Sequence, residues 1–392
     1  MPNASRALKV SAIQKTDKQN GIGAFDQMLV KSIVRPKTAL TAISLFSGGG
    51  GLDLGMEKAG FRTLACIEKD YNCCTTLASN QPHYLRHTQI INADVDHVDL
   101  KQLMKKLQLK AGELDLLFGG PPCQTFSQIG KQSSLNDERG ALLFAMVNYA
   151  KVLRPKAVVI ENVKALLSAK NLAGKKGGVV EDLKLSLEEL GYTVSMQVLN
   201  SADFGVAQKR QRLFIVAVKN DEPFHFPSSN GEIATVGKVL TKLPKPAAKG
   251  TLPKFPNHVD VTPAGDRHRI SYVYEGEYLA KAMHAPASVR GKLSAKDTTK
   301  FLRLGRDKQS NTLRCGEIFF HPIEDRYLTP REYMRIHGFP DDYVLQGPIR
   351  GRSGSVRDLD QHRQVANSVP PPVAYAVGSM LIKQLFKSKK SI

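Results

Sequence analysis

Residues 119–130 read GGPPCQTFSQIG, and the chemistry of that stretch centres on Cys123. A thiol stands on a loop stiffened by two prolines and bounded by glycines. Proline presets φ and lowers the entropy of holding the sulfur in one place. With an ordinary pKa of ~8.5, only a small share of a thiol is ionised at neutral pH, but the thiolate is strongly nucleophilic. The other cysteines, at 66, 73, 74 and 315, read as small buried apolar residues. Glu161 in ENV (161–163) supplies a carboxyl group. If burial raises its pKa, it can act as an acid or a hydrogen-bond donor. In QKRQR (208–212), strand alternation puts Gln208, Arg210 and Arg212 on one side. Two arginines and an amide can hold a carboxylate, a carbonyl or phosphate oxygens.

A second constellation precedes these. LFSGGGGLDLG (45–55) has the form of a strand, a tight glycine turn and a helix start. Glycines let a backbone approach a ligand closely and leave amides free at the helix N-terminus. Glu68 follows seventeen residues after Gly51, where an acid can accept both ribose hydroxyls of an adenosine-containing cofactor. Asp94 follows a third short apolar run and can accept from an adenine amino group. NAD and S-adenosylmethionine both suit such a site. The loop lacks GxGxxG spacing toward a diphosphate, and a sulfonium cofactor needs no phosphate cradle.

These residues need a scaffold that brings them to one place. Thr41–Phe46, Thr63–Glu68, Ile90–Asn92, Leu114–Phe118 and Ala157–Ile160 read as strands, joined later by Thr193–Leu199 and Leu213–Val218. Helices are expected after the glycine turn up to Ala59, with Gly60 as the cap, over Tyr71–Asn80, and over Glu181–Leu190 before Gly191. The alternation predicts an α/β fold, an open and mostly parallel sheet covered by helices on both faces. Ligands of such sheets lie beyond the carboxyl ends of the strands. The glycine loop, Glu68, Asp94, the cysteine loop and ENV should therefore share one rim.

The texture changes after Asn220. Residues 225–300 hold twelve Lys/Arg, six Asp/Glu and many prolines, without a strand–helix rhythm. The expected organisation is a basic extension (1–37), a catalytic domain (38–220), a smaller basic module (221–357) and a segment returning to the catalytic domain (358–392), with an apolar helix over Val373–Leu385. The 392 residues carry 56 Lys+Arg against 36 Asp+Glu, a net charge of +20. That balance favours a polyanionic partner through phosphate neutralisation and counterion release. No apolar run approaches the ~20 residues of a membrane helix, and the first residues hold no secretory apolar block. Five cysteines without a CxxC pair argue against a disulfide scaffold or zinc cage and for a reducing cytoplasm.

Taken together and in order, these segments resemble the DNA cytosine-5 methyltransferase family. FSGGGG (46–51) resembles its cofactor loop, GPPCQTFS its catalytic-cysteine loop, and ERGALLF (138–144) its substrate-loop anchor. ENV and QKRQR match in place and spacing. DRYLTPREYMRIHGFP (325–340) and QVANSVPPPVAYAVG (364–378) match two late motifs. Ala366 departs from the glycine usual before Asn-Ser-Val, a change that costs little unless φ is positive there. The resemblance implies a Rossmann-like methyltransferase sheet with a smaller target-recognition domain. It implies S-adenosylmethionine as cofactor and no metal. Expected cofactor contacts are Phe46, Ser47, Gly48, Gly50, Gly51 and Leu52 on the loop, then Glu68, Asp94, Val95 and Pro122, and late in the chain Asn367 and Val369.

The resemblance also implies a mechanism. The target cytosine turns out of the duplex into the pocket, and Cys123 attacks C6. Glu161 holds and protonates N3, Arg212 supports O2, and Arg210 supports Glu161 or the active-site loop. Residues 128–139 would close over the DNA, and Arg267, Arg269, Arg290, Arg303 and Arg306 are candidate base readers. Transfer RNA is the rival substrate, since a related branch carries the same motifs. The other rivals are a catalytically dead DNA-binding protein and a nicotinamide dehydrogenase; the second would leave PPCQ, ENV and the basic module unexplained. The arrangement looks like the bacterial restriction–modification type, with double-stranded DNA as partner, a separately encoded endonuclease that forms no stable complex, and a monomeric, nucleoid-associated enzyme.

Overall fold

The computed structural model of the chain describes residues 39–122, 138–290, 301–350 and 358–386. Cys123, residues 128–137 and the 1–37 extension lie outside the described residues. Seven strands form the central sheet: β1 (Leu40–Leu45), β2 (Phe61–Glu68), β3 (Gln89–Asn92), β4 (Leu116–Gly119), β5 (Ala157–Val163), β6 (Thr193–Asn200) and β7 (Gln211–Val218). Their order is β3-β2-β1-β4-β5-β7-β6. The first five run parallel, while β7 is antiparallel to both β5 and β6. The strand order reverses between β1 and β4, the place where open α/β sheets bind ligands.

The strands are apolar on both faces because both faces are covered. Along β4, Leu117 packs into one core with Ile43, Leu45, Val158 and Ile160, while Leu116 and Phe118 point into another with Ala42, Ala157 and Val159. The first core is closed by α3 (Leu100–Lys106), α4 (Glu138–Leu153) and α5 (Gly178–Glu189), through residues such as Leu103, Met146, Leu183 and Leu187. The second is closed by α1 (Gly51–Ala59), reaching in with Met56, and by residues near the end of the chain. The expected helix Tyr71–Asn80 is α2, whose Asp70 caps the Cys73 amide at 2.9 Å.

Beyond β7 the elements are short: α6 (Val236–Leu240), α7 (Ala264–Ile270), α8 (Ala287–Arg290), α9 (Pro330–His337) and two two-residue strands, β8 (Ala247–Ala248) and β9 (Val259–Asp260). Helix α9 starts on a capping box, with Thr329 and Glu332 each satisfying the other's backbone amide. A third core gathers there, including Ile270, Val273, Leu302, Phe319, Tyr333 and Tyr343. Arg303 belongs to this framework. Its guanidinium donates to the carbonyls of Pro322, Ile270, Val273 and Ile323 and lies 3.0 Å from Asp325. An arginine so engaged and only 8% exposed is removed from the candidate base readers.

The chain then returns through α10 (Gln361–Asn367) and α11 (Pro371–Leu381), the latter continuing as a short π-turn over Ile382–Phe386. Helix α11 lies directly on α1. A Cβ at Gly55 would stand 2.3 Å from that of Ala374 and 2.6 Å from the Pro371 carbonyl oxygen, and one at Gly378 would stand 2.8 Å from Ala59. Among the described residues no helix is long and apolar enough to cross a membrane. The contact predicts that Gly55→Ala lowers unfolding free energy in urea by ~1–3 kcal/mol through overpacking. Gly265→Ala, in α7 with open space around it, should be neutral or slightly stabilising.

Candidate active site and cofactor pocket

The carboxyl ends of β1, β2, β4 and β5 open onto one cavity of about 1240 Å³. Its wall includes Phe46, Ser47, Gly48, Gly51 and Leu52 from the glycine loop, Glu68 from the end of β2, and Asp94 and Val95 beyond β3. Pro122 follows β4, Glu161 ends β5, Arg210 and Arg212 precede and begin β7, and Asn367 and Val369 come from the late chain. Of the shared rim expected from the sequence, the glycine loop, Glu68, Asp94, Gly120–Pro122 and Glu161–Val163 come together here, while Cys123 lies outside the described residues. Gly50 is the exception. It sits behind the loop at φ 79°, where a Cβ would collide with Tyr343 and Leu77, so it makes the turn and does not face the cavity.

The glycine loop is strained and tightly held. Phe46 adopts φ 55°, a conformation uncommon for a bulky side chain, and its amide donates to the Ile67 carbonyl at 2.9 Å. Glu68 braces the loop from below: Oε2 accepts the Gly48 amide and Oε1 the Asp70 amide, each at 2.8 Å. Burial raises its pKa. Each of its oxygens retains acceptor capacity for a ligand hydroxyl. Asp94 caps the short turn at Val95–His97, and Lys69 lies 3.5 Å from it. Tyr343, from the far side of the chain, donates to the Gly49 carbonyl at 3.0 Å. Gly51 takes no side chain because the Val369 carbonyl would lie 2.2 Å from its Cβ.

The second half of the cavity carries the groups next to the cysteine loop. Gly119 lies so close to β1 that a Cβ would be 2.6 Å from the Leu45 carbonyl, and a Cβ at Gly120 would be 3.1 Å from Glu161 Oε2. Asn162 donates from Nδ2 to the Pro121 carbonyl at 3.1 Å, tying the proline pair to β5. Glu161 is 8% exposed and pairs through Oε1 with Arg212 Nε at 3.0 Å. Burial pushes the Glu161 pKa up, against the pull of Arg212 and Arg210.

Antiparallel β7 is what brings the arginines here. Arg212 lies opposite Val163 in the register, so the start of β7 shares a rim with the ends of the parallel strands. The expected alternation holds: Gln208, Arg210 and Arg212 point inward, Lys209 and Gln211 outward. Their partners differ, however. Gln208 donates to His337 Nδ1 at 2.9 Å and accepts the Leu313 amide. His337 in turn faces the Ser368 carbonyl with Nε2 at 2.9 Å. Arg210 donates through Nη2 to the carbonyls of Ala366 (2.8 Å) and Ser368 (3.1 Å), so it braces the late loop while Arg212 holds Glu161. Its Nε and Nη1 have no hydrogen-bond partner among the described residues. Burial and the neighbouring Arg212 push its pKa down to about 9. Ala366 lies within α10 and is not among the residues with positive φ, so its methyl group fits without strain.

Asp53, Asn162, Tyr343 and His337 were not singled out in the sequence. The signals were present as the Asp after the glycine run, the Asn of ENV, and the His and Tyr around GFP. Each acts through a partner distant in sequence. His258 is buried, with Nδ1 facing Thr329 Oγ1 and Nε2 the Pro244 carbonyl.

The acids Asp53, Glu68, Asp70 and Asp94 line the half of the cavity beside the glycine loop. Such a wall repels a diphosphate and suits a cationic nucleoside, which separates the two cofactors left open by the sequence. Comparison with known proteins agrees. The profile of the C-5 cytosine-specific DNA methylase family matches residues 40–383. The Type II methyltransferase M.Eco47II of Escherichia coli is 33% identical over 370 residues, covering 89% of this chain and 80% of its own. M.PspPI of a Psychrobacter strain is 33% identical over 386 residues, with 92% and 83% covered. Among solved structures, one described as a prophage-encoded DNA modification methyltransferase (E. coli) superposes with a TM-score of 0.68 at 23% identity, covering 88% of this chain and 99% of that one. The S. pombe Dnmt2 methyltransferase gives 0.53 at 18%, covering 88% and 99%. The chain belongs to the C-5 cytosine-specific DNA methylase family, whose members transfer methyl groups from S-adenosylmethionine.

Proposed function

We propose that the rim described above carries out methylation of cytosine C5 in double-stranded DNA, with Cys123 as nucleophile and Glu161, Arg210 and Arg212 as the groups around the reacting base. The observation that carries this reading is the buried Glu161–Arg212 pair beside the cavity, tied through Asn162 to the prolines that precede Cys123. Glu68 and Asp94 would hold the ribose and adenine ends of the cofactor, and the late residues Asn367 and Val369 would close its pocket. When bound, S-adenosylmethionine supplies an electrophilic methyl group on a good leaving group.

The chain's own residues do the rest. A cytosine inside a duplex is out of reach and must be extruded into the cavity. The Cys123 thiolate bonds to C6. Glu161 donates a proton to N3, so that the ring does not carry a localised anion. Arg212 places its charge near both Glu161 and the base carbonyl. After the methyl group is on C5, loss of the C5 proton to a base, water in our reading, allows the C6–sulfur bond to break and frees the thiolate, and N3 returns its proton to Glu161. Covalent capture divides one difficult substitution into easier steps.

We assign residues 221–357 to DNA sequence recognition. Arg267, Arg269, Arg290 and Arg306 remain candidates; Arg306 is half-exposed and held at 3.1 Å by Glu275. The family and the Type II relatives support a protective role beside a separately encoded endonuclease. In our reading the enzyme works as a monomer, in the cytoplasm and near the nucleoid, and forms no stable complex with that nuclease.

Four results are expected. Cys123→Ser should abolish tritiated methyl transfer to duplex DNA, and wild-type protein should become irreversibly attached to oligonucleotides carrying 5-fluorocytosine at the target; no adduct despite bound cofactor would refute the nucleophile. Glu161→Gln should lower kcat by ~10²–10⁴-fold, the range of general acid catalysis. Because the Glu161 pKa is raised and its protonated form is the one that donates, kcat should fall as pH rises through that value. The residual activity of Glu161→Gln should lack this alkaline limb, which a pH–rate profile would reveal.

A further inference from the structure

Asp53 is a buried acid that the reading above does not use. It is the third residue of α1, directly after the glycine run, and its exposure is 0%. It nevertheless belongs to the wall of the cofactor cavity. One carboxylate oxygen, Oδ1, accepts from the Cys66 thiol at 3.2 Å. The other, Oδ2, has no hydrogen-bond partner among the described residues. A buried acceptor without a donor is costly and calls for an explanation.

Among the described residues, the groups that act on Asp53 itself are neutral. Ser44 and Cys66 flank it from β1 and β2 and are neutral donors; Ser47 donates to Ser44 at 2.8 Å. The remaining ionisable neighbours are Tyr343 and, one helical turn further on, Glu57. Burial pushes Asp53 up to about 6 and Glu57 up to about 7. Arg62 is the cation near Glu57, whereas among the described residues no cation acts on Asp53 itself.

We infer that Asp53 is a specificity-determining residue: its carboxylate selects the cationic methyl donor over the neutral thioether product that remains after transfer. This rests on the cofactor reading of the cavity. Donor and product share adenosine, carboxylate and ammonium groups and differ by the sulfonium charge and its methyl group. An uncompensated carboxylate in a medium of low dielectric feels that charge strongly. It favours charged donor entering and weakens the hold on product, which relieves product inhibition.

The test is equilibrium binding by calorimetry, with S-adenosylmethionine and S-adenosylhomocysteine measured separately on wild-type protein and on Asp53→Asn. Asparagine keeps the shape and can still accept from Cys66. We expect donor affinity to fall about tenfold while product affinity changes less than about twofold, so that the ratio of the two shifts toward product. A general loss of packing would weaken both equally and leave the ratio unchanged; an unchanged ratio overturns the inference. If Asp53→Asn gives no folded protein, the exchange Ser44→Asp with Asp53→Ser, which moves the carboxylate across the same contact, should preserve the donor preference. Its loss there would equally overturn the inference. Wild-type protein that binds neither compound would defeat the cofactor reading itself, and this inference with it.

Discussion

Two helices can approach no closer than the side chains between them allow, and where α1 meets α11 there is almost nothing between them. Gly51, Gly55 and Gly378 remove the obstacles, and their nearest neighbours are the Val369 and Pro371 carbonyls, the Ala374 and Ala59 methyl groups and the Met56 sulfur. This approach presses Ser368 and Val369 against the glycine loop, so the cavity wall is built from segments far apart in the sequence. Tyr343 reinforces the same junction by holding the Gly49 carbonyl, and Thr76 by donating to Gln364 at 2.7 Å. A pocket wall assembled this way is rigid because its parts are backbone, which suits a site that must hold a reactive group in one orientation.

The electrostatics follow from burial on that frame. Glu161, Arg210 and Arg212 are each costly to bury alone; Glu161 and Arg212 form a full pair, while Arg210 gives Nη2 to two carbonyls and leaves Nε and Nη1 without a partner among the described residues. His337 stays neutral, since burial and the nearby arginines depress its pKa. It can therefore accept from Gln208 while facing the Ser368 carbonyl with its other nitrogen. The polar groups of the catalytic half thus form a connected set running from β5 through β7 to the late loop. The half of the cavity beside the glycine loop is acidic, and the half beside β7 holds two arginines around Glu161.

Much of this was legible from residue types. Runs such as Ala157–Ile160 and Leu213–Val218 are apolar on both faces, which only a covered sheet explains, and glycines and acids at their ends marked the rim. Helix Tyr71–Asn80 coincides with its expected span. The direction of β7 was not legible, because an apolar strand buried on both faces looks the same in either orientation. That direction is what carries Arg212 to Glu161. The structural role of Arg303 was hidden for a related reason: an arginine that donates to four carbonyls has no acidic partner nearby in sequence to betray it. The unpaired oxygen of Asp53 depends on what three separate segments fail to provide, and no local pattern records an absence.

The seam between α1 and α11 bears on how the enzyme comes into being. Gly49 and Tyr343 are 294 residues apart, and contacts of such separation form late and slowly. A chain emerging from the ribosome can pair its early strands well before the closing helix exists, yet its cofactor wall is then missing one side. Nascent chains would accordingly be unable to modify DNA until α10 and α11 have been made, and a frameshift ahead of Gln361 would yield an inert product instead of a weakened one.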